Sequence, residues 1–203
     1  MPGTRKWVSR RSHSDRAVFL DRDGVLIEDT GYPCSVDQLR FIPGSAEAVA
    51  RLNRAGLAVV LVTNQSGIGR GYYGWEQFEA VQSALNAHLA AAGAFLDGCW
   101  ACAFHGDGTG EYAQANHPWR KPNPGMIEDA ASELSLDLTK SWMVGDRASD
   151  LEAGRRAGLR VLHVATGPES VETDAPSCGD LAAAVDVILG EMNQCRSLTV
   201  AVQ

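Results

Sequence analysis

The feature that most constrains the fold is a series of short, mainly apolar runs that alternate with amphipathic segments. Residues 17–20, 57–62, 95–103, 141–144 and 160–164 are predicted to be buried strands, because they are continuous hydrophobic stretches of strand length. Periodicity and capping signals predict helices at residues 45–56, 75–92, 125–134, 151–157 and 180–189. Strands that alternate with helices predict a doubly wound parallel α/β sheet with a Rossmann-type core and right-handed crossovers.

The length of 203 residues suits one folded domain, which we place at residues 17–190. Residues 1–16 carry a net charge of +4 and no apolar stretch, so we expect a flexible basic arm. Residues 191–203 show no clear pattern and are treated as a C-terminal tail.

Composition and charge exclude several classes of protein. No apolar run approaches the ~20 residues that cross a bilayer, so no membrane segment is predicted. The net charge of −7 offers no general cationic face for nucleic acid. The odd count of 5 cysteines indicates no disulfide framework and favours a reducing, cytoplasmic location. We expect a monomer that acts on a small molecule.

Acidic residues follow two of the predicted strands. Asp21 and Asp23 come directly after the first strand, and Asp146 and Asp150 follow the fourth. The carboxyl ends of parallel strands line one crevice, so these carboxylates should converge there. Such a cluster favours a hard cation such as Mg²⁺. An aspartate there can serve as a nucleophile that forms an aspartyl-phosphate, and a second can serve as general acid and base.

Polar and cationic residues are predicted at the same edge. Thr63, Asn64 and Ser66 follow the second strand and could cradle phosphate oxygens, although these residue types are also ordinary in turns. Lys121 lies in a loop restricted by two prolines, which favours a positioned charge over a solvated one. A phosphoryl transition state needs such a charge.

The motifs in which these residues occur resemble the four motifs of the haloacid dehalogenase (HAD) superfamily. They read FLDRDG at 19–24, VTNQSG at 62–67, RKP at 120–122, and VGD at 144–146 with Asp150 four residues on. Within that superfamily, the chain resembles the branch of heptose bisphosphate phosphatases and histidinol-phosphatase domains. The short segment between the first two motifs leaves no room for a large cap domain.

The resemblance implies a Mg²⁺-dependent phosphomonoesterase. Asp21 would be the nucleophile and Asp23 the general acid/base, with Thr63 and Lys121 stabilising the phosphoryl group. Magnesium would be held by the carboxylates of Asp21 and Asp146 and by the backbone carbonyl of Asp23, with Asp150 in a supporting position. The residues implied for substrate binding are Asp29, Thr30, Gly31, Tyr32, Asn64, Gln65, Ser66, Arg120 and Arg147.

The chain departs from this branch at the loop where relatives carry a structural zinc site of three Cys and one His. The aligned positions here are Cys102, Phe104, His117 and Trp119. Since Phe and Trp cannot ligate zinc, we expect no structural zinc, and we expect Phe104 to pack on Trp119. A zinc site of Cys102, His105 and His117 is the alternative.

Several functions remain open at this point. A heptose 1,7-bisphosphate is the first choice of substrate, and histidinol phosphate is the alternative. A catalytically silent sugar-phosphate-binding protein and a phospho-accepting receiver domain are alternatives from other classes. A nucleic-acid 3′-phosphatase fits less well, because the body of the chain is acidic.

Overall fold

Seven strands form one mixed sheet in the part of the chain that the structure describes. This structure is a computed structural model, and it describes residues 3–167 and 171–200. The strands are β1 (Thr4–Val8), β2 (Ala17–Leu20), β3 (Ala58–Asn64), β4 (Gly98–Cys102), β5 (Trp142–Gly145), β6 (Arg160–Val164) and β7 (Ser177–Cys178). Their order in the sheet is β1-β4-β3-β2-β5-β6-β7. β1 runs antiparallel to β4, and the other neighbouring pairs are parallel.

Helices cover both faces of this sheet. They are α1 (Ser45–Arg54), α2 (Ser66–Gly69), α3 (Trp75–Ala91), α4 (Gly125–Leu134), α5 (Ala148–Arg156) and α6 (Leu181–Val200). Side chains alternate along the central strand, so that Val18 and Leu20 pack in one core with α1, α3 and α6. Ala17 and Phe19 pack in a second core with α4 and α5. The prediction of a doubly wound α/β fold is confirmed.

The strand order fixes the position of the crevice. The chain leaves β2 for β3 on one side and later returns to β5 on the other side. In parallel α/β sheets, ligands bind where the connections diverge in this way, at the carboxyl ends of the strands. The polar clusters after β2, β3 and β5 therefore meet at one edge of the sheet.

The flexible arm expected at the N-terminus is wrong for residues 4–8, which form the edge strand β1. The backbone of β1 pairs with β4, with Lys6 opposite Trp100. The Trp7 ring lies 5.5 Å from the Phe78 ring of α3. Lys6 forms ion pairs with Asp129 and Glu133 at 2.9 and 2.8 Å. Two of the basic residues that indicated a solvated arm, Arg5 and Lys6, thus pair with acidic residues of the domain.

Three element bounds differ from the sequence analysis by three residues or more. The residues from 191 onward, which we expected to form a tail, continue α6 to Val200. Met192 in this part of the helix is buried in the core. β4 begins at Gly98 rather than at residue 95. The buried Asp97 side chain before it accepts hydrogen bonds from the backbone of Val59, Arg11 and Ser12. The helix expected at 151–157 begins three residues earlier, at Ala148.

No helix among the described residues combines the length and the apolar character needed to cross a membrane.

Candidate active site

A cleft of about 420 Å³ opens at the carboxyl ends of β2 and β3. Twelve residues that the sequence analysis selected line it: Asp21, Asp23, Asp29, Gly31, Tyr32, Asn64, Gln65, Ser66, Arg120, Lys121, Arg147 and Asp150. Thr63 and Asp146, at 0% and 1% exposure, are buried next to residues that line it: Thr63 accepts a hydrogen bond from Gln65, and Asp146 lies beside Asp21. Thr30 faces a neighbouring shallow cavity with Gln38 and Arg40 instead. The structure thus brings together most of the predicted site.

The floor of the cleft holds a buried acidic cluster. One carboxylate oxygen from each of Asp21, Asp146 and Asp150 lies within 4.8 Å of the others. Neither oxygen of Asp146 has a hydrogen-bond partner among the described residues. Burial raises the pKa of Asp146 to about 8, and the carboxylates of Asp21 and Asp150 add to this rise. Unpartnered buried carboxylate oxygens fit a hard divalent cation, which would supply the missing positive charge.

Two glycines shape the space around Asp146. A Cβ at Gly24 would lie 2.2 Å from Asp146 Oδ2, and a Cβ at Gly167 would lie 2.0 Å from the same atom. Gly24 also has a φ of 81°, in the left-handed region that favours glycine. The glycine of the first motif therefore permits the close approach of the loop after β2 to this carboxylate.

Lys121 is the cation of this floor. Its Nζ lies 2.9 Å from Asp21 Oδ1 and 2.7 Å from Asp150 Oδ1, and it donates to the Val62 carbonyl at 2.8 Å. Burial lowers the pKa of Lys121, but the carboxylates of Asp150 and Asp21 raise it, and the net value is about 12. Lys121 is therefore charged at neutral pH beside the predicted nucleophile. Burial raises the pKa of Asp21, and Lys121 counters part of that rise.

The Asn64 side chain fixes the loop that carries this lysine. Asn64 Nδ2 donates to the Lys121 carbonyl at 3.0 Å, and the Lys121 backbone N–H donates to Asn64 Oδ1 at 3.1 Å. Both ends of the amide are thus bound to the loop. Asn64 also lines the cleft, so the substrate-binding role that the resemblance implied for it stays a prediction.

Asp150 also has internal partners. Its Oδ1 is paired with Lys121, and its Oδ2 accepts the backbone N–H of Arg147 at the start of α5. This arrangement fits the supporting position predicted for Asp150, which orients the lysine and the helix terminus.

Arg22 and Tyr73 line the cleft but were missed by the sequence analysis. Arg22 is 1% exposed, and its Nη2 and Nε donate to the Asp23 carboxylate at 3.1 and 3.2 Å. Burial raises the pKa of Asp23, and the charge of Arg22 lowers it, with a net rise. An arginine inside a buried segment between two aspartates is a signal that could have identified Arg22, because buried arginines need partners. No sequence pattern around Tyr73 indicates that it lies in the cleft.

Aromatic and charged side chains surround the mouth of the cleft. Arg147 Nη2 forms an ion pair with Asp29 Oδ2 at 2.5 Å. Tyr32 meets Tyr72 edge to face, with 4.9 Å between ring centroids. Arg120 Nη1 donates to the Phe104 carbonyl at 3.0 Å. These contacts leave a polar, open mouth around the acidic floor.

The loop that contains Phe104, His117 and Trp119 is packed differently from our expectation. Phe104 stacks on His117 rather than on Trp119, with centroids 4.0 Å apart and planes at 12°. Cys102 is buried within the core beneath α4, while the His105 ring contacts Arg70. Among the described residues, the acidic cluster is the one group of His, Cys, Asp and Glu with metal-binding spacing.

Comparison with known proteins identifies the family. The HAD-hydrolase-like family model matches residues 118–188. A D-glycero-beta-D-manno-heptose-1,7-bisphosphate 7-phosphatase from Mesorhizobium japonicum is 44% identical over 180 residues, covering 85% of this chain and 83% of the relative. The enzyme of the same name from Pasteurella multocida is 45% identical over 158 residues, covering 77% of this chain and 85% of the relative.

Solved structures give the same result. The crystal structure of a HAD-like phosphatase from Mesorhizobium loti superposes with a TM-score of 0.82 and 40% identity, covering 93% of this chain and 95% of that one. The D,D-heptose 1,7-bisphosphate phosphatase from B. bronchiseptica, solved with magnesium and phosphate, gives a TM-score of 0.76 and 34% identity, covering 87% and 99%. The chain therefore belongs to the HAD superfamily of hydrolases and, within it, to the family of the heptose bisphosphate phosphatases.

Proposed function

We propose that this protein is a Mg²⁺-dependent phosphomonoesterase that removes one phosphate from D-glycero-D-manno-heptose 1,7-bisphosphate. The observation that carries the proposal is the buried floor, where Lys121 lies 2.9 Å from Asp21 and the carboxylate of Asp146 faces both without a hydrogen-bond partner among the described residues. The relatives with 44% and 45% identity are named as 7-phosphatases of this sugar, which supports the choice of substrate.

Asp21 is the proposed nucleophile. Its carboxylate oxygen attacks phosphorus, the bond from phosphorus to the sugar oxygen breaks, and the phosphoryl group is transferred to Asp21. Lys121 carries a positive charge beside Asp21, which favours the anionic form of that carboxylate. The same charge stabilises the negative charge on the phosphoryl group that Asp21 attacks. Thr63, whose oxygen accepts a hydrogen bond from Gln65, donates its hydroxyl proton to a phosphoryl oxygen.

Asp23 is the proposed general acid and base. It donates its proton to the departing sugar oxygen, which leaves as an alcohol, and then takes a proton from the water that attacks phosphorus. That second attack breaks the acyl-phosphate bond, releases inorganic phosphate and restores both aspartates. Burial raises the pKa of Asp23, which favours the protonated form needed for the first step.

The residues that would hold magnesium are Asp21, Asp146 and the backbone carbonyl of Asp23. A bound Mg²⁺ would neutralise charge between the nucleophile and the phosphoryl oxygens. The relative that was solved with magnesium and phosphate supports magnesium as the metal.

The shape and charge of the cleft suit a small phosphorylated sugar. Its volume of about 420 Å³ lies within the usual range of roughly 300–1,000 Å³ for small-molecule sites. Arg120 and Arg147 at the mouth can attract a second phosphate, while Asp29, Tyr32 and Ser66 offer hydrogen bonds to hydroxyl groups. All of these groups come from one chain, so a monomer suffices for activity, and the free cysteines fit a reducing cytoplasm.

A phosphate-release screen tests the proposal. The substrates are heptose 1,7-bisphosphate in both anomeric forms, histidinol phosphate and nucleoside monophosphates, each with Mg²⁺ and with EDTA, for the wild type and Asp21→Asn. We expect Mg²⁺-dependent release from the heptose bisphosphate and none from the variant. Faster phosphate release from histidinol phosphate would contradict the proposed substrate. Tight binding of the heptose bisphosphate without phosphate release would contradict the proposal that the protein is an enzyme.

A further inference from the structure

The side chain of Gln65 has all of its hydrogen-bonding capacity engaged inside the protein. Nε2 donates to Asp23 Oδ2 at 3.1 Å and to Thr63 Oγ1 at 2.8 Å. Oε1 accepts from Arg22 Nη2 at 3.1 Å and from the Tyr73 hydroxyl at 2.6 Å. A glutamine amide has two donors and one oxygen with two lone pairs, so no polar valence remains for a substrate. Gln65 is also only 2% exposed.

The orientation of this amide is determined by its neighbours. The Arg22 guanidinium only donates hydrogen bonds, so the amide oxygen must face Arg22 and the amide N–H groups must face Asp23 and Thr63. The reverse orientation would place amide hydrogens against the guanidinium and the amide oxygen against the carboxylate. Arg22 itself is held against the Phe78 ring, 5.2 Å from the centroid, where a cation–π contact stabilises its buried charge.

Gln65 therefore connects the two parts of the site that handle protons and phosphate. Its amide holds one Asp23 oxygen, so that the carboxyl group has a fixed direction. Its second N–H occupies a lone pair of the Thr63 oxygen, so the Thr63 hydroxyl proton is left for a phosphoryl oxygen of the substrate. One side chain thus orients the general acid and the phosphate donor together.

We propose that Gln65 is a positioning residue, held by Arg22 and Tyr73, that sets Asp23 for proton transfer and Thr63 for donation to the phosphoryl group. This replaces the substrate contact that the resemblance implied for Gln65. The inference rests on the proposed function and adds to it a role for Gln65, Arg22 and Tyr73.

The test uses two substrates that differ in their need for an acid. Propyl phosphate has a poor leaving group that must be protonated, whereas p-nitrophenyl phosphate needs little protonation. The kcat/KM of each substrate reports the steps up to formation of the phosphoenzyme. The ratio of kcat/KM for propyl phosphate to that for p-nitrophenyl phosphate therefore measures how much protonation of the leaving group by the general acid contributes. Neither substrate carries the sugar hydroxyls or the second phosphate that the mouth of the cleft would recognise.

Gln65→Met is the main variant, since it keeps the length of the side chain and removes its hydrogen bonds. We expect kcat/KM to fall about 100-fold for propyl phosphate and about tenfold for p-nitrophenyl phosphate, part of the ~10²–10⁴-fold that a general acid contributes. Asp23→Asn should show a bias in the same direction. The matched control is Gln82→Met on α3, another buried glutamine, whose amide bonds to Asn86; both of its values should stay within about twofold of wild type.

Tyr73→Phe is the second variant, which keeps the ring and removes one donor to Gln65. Loss of one such hydrogen bond should lower kcat/KM for propyl phosphate by roughly three- to tenfold, and less for p-nitrophenyl phosphate. If Gln65→Met does not fold, as judged by circular dichroism, this variant decides the question. Equal losses on both substrates, or a rise in KM with kcat unchanged, would overturn the positioning role. Absence of Mg²⁺-dependent release by the wild type would instead overturn the proposed function, and the positioning role with it.

Discussion

Replacement of Asp146 by asparagine should stabilise the metal-free protein at neutral and alkaline pH. Burial and the neighbouring carboxylates raise the pKa of Asp146 from 3.8 to about 8 in the folded protein. The metal-free folded state therefore keeps a proton that the unfolded chain releases. The contribution of this proton to stability is complete below about pH 4 and is lost as the pH rises to about 8.

The structure sets the size of this effect. A pKa that rises from 3.8 to about 8 on folding changes the free energy of unfolding by at most roughly 6 kcal/mol across this pH range. The free energy of unfolding changes by about 1.4 kcal/mol per pH unit between the two pKa values. The asparagine side chain of the variant does not titrate, and it has nearly the same shape as the aspartate it replaces. Between about pH 5 and about pH 8, the stability of Asp146→Asn relative to wild type should thus rise by about 4 kcal/mol.

Urea denaturation in EDTA, repeated across this pH range, measures the effect. Subtraction of the two curves cancels most of the titration of the other carboxylates. Glu128→Gln on α4 is the matched control, because Glu128 is exposed and makes the same change in charge. With excess Mg²⁺, wild type should gain stability and Asp146→Asn should gain little. A stability difference that does not change with pH in EDTA would refute the reasoning.

Three further predictions concern the nucleophile, the loop and the edge strand. Asp21→Asn should fold normally and lose turnover by at least about 10⁴-fold in kcat, and near wild-type kcat would contradict the nucleophile. Elemental analysis after dialysis should find no stoichiometric zinc, because Phe104 occupies a ligand position; one zinc per chain, lost in His117→Ala, would contradict this. Trp7→Ala should lower the free energy of unfolding by about 2 kcal/mol, since the ring packs on Phe78; no change in urea denaturation would show that β1 is not docked in solution.

The sequence predicted the sheet and the floor of the site well, because both depend on local patterns. Continuous apolar runs determine the central strands, and the residues that follow them must lie at one sheet edge. Asp21, Asp146 and Lys121 could therefore be brought together in the sequence analysis, and the structure places them around one floor. That they carry out the predicted chemistry stays a prediction.

Features that depend on distant partners could not be predicted in the same way. The residue types of Asn64 and Gln65 indicate polar groups after a strand, but not that their amides are bound to Lys121 and Asp23. β1 looked like a solvated arm because its partners are distant in sequence: β4 lies about 90 residues away and Phe78, on which Trp7 packs, about 70 residues away. The stacking of Phe104 on His117 likewise depends on the path of a long loop.

The central claim is that the phosphoryl group passes through Asp21 on its way to water. The most direct measurement is the stereochemical course at phosphorus, with a phosphorothioate monoester that carries two different oxygen isotopes and is hydrolysed with Mg²⁺ in water of the third isotope, so that the thiophosphate released is chiral. Each in-line displacement inverts phosphorus, so transfer to Asp21 followed by transfer to water gives overall retention of configuration. We predict retention. Inversion would show that water attacks the substrate directly and would contradict the account.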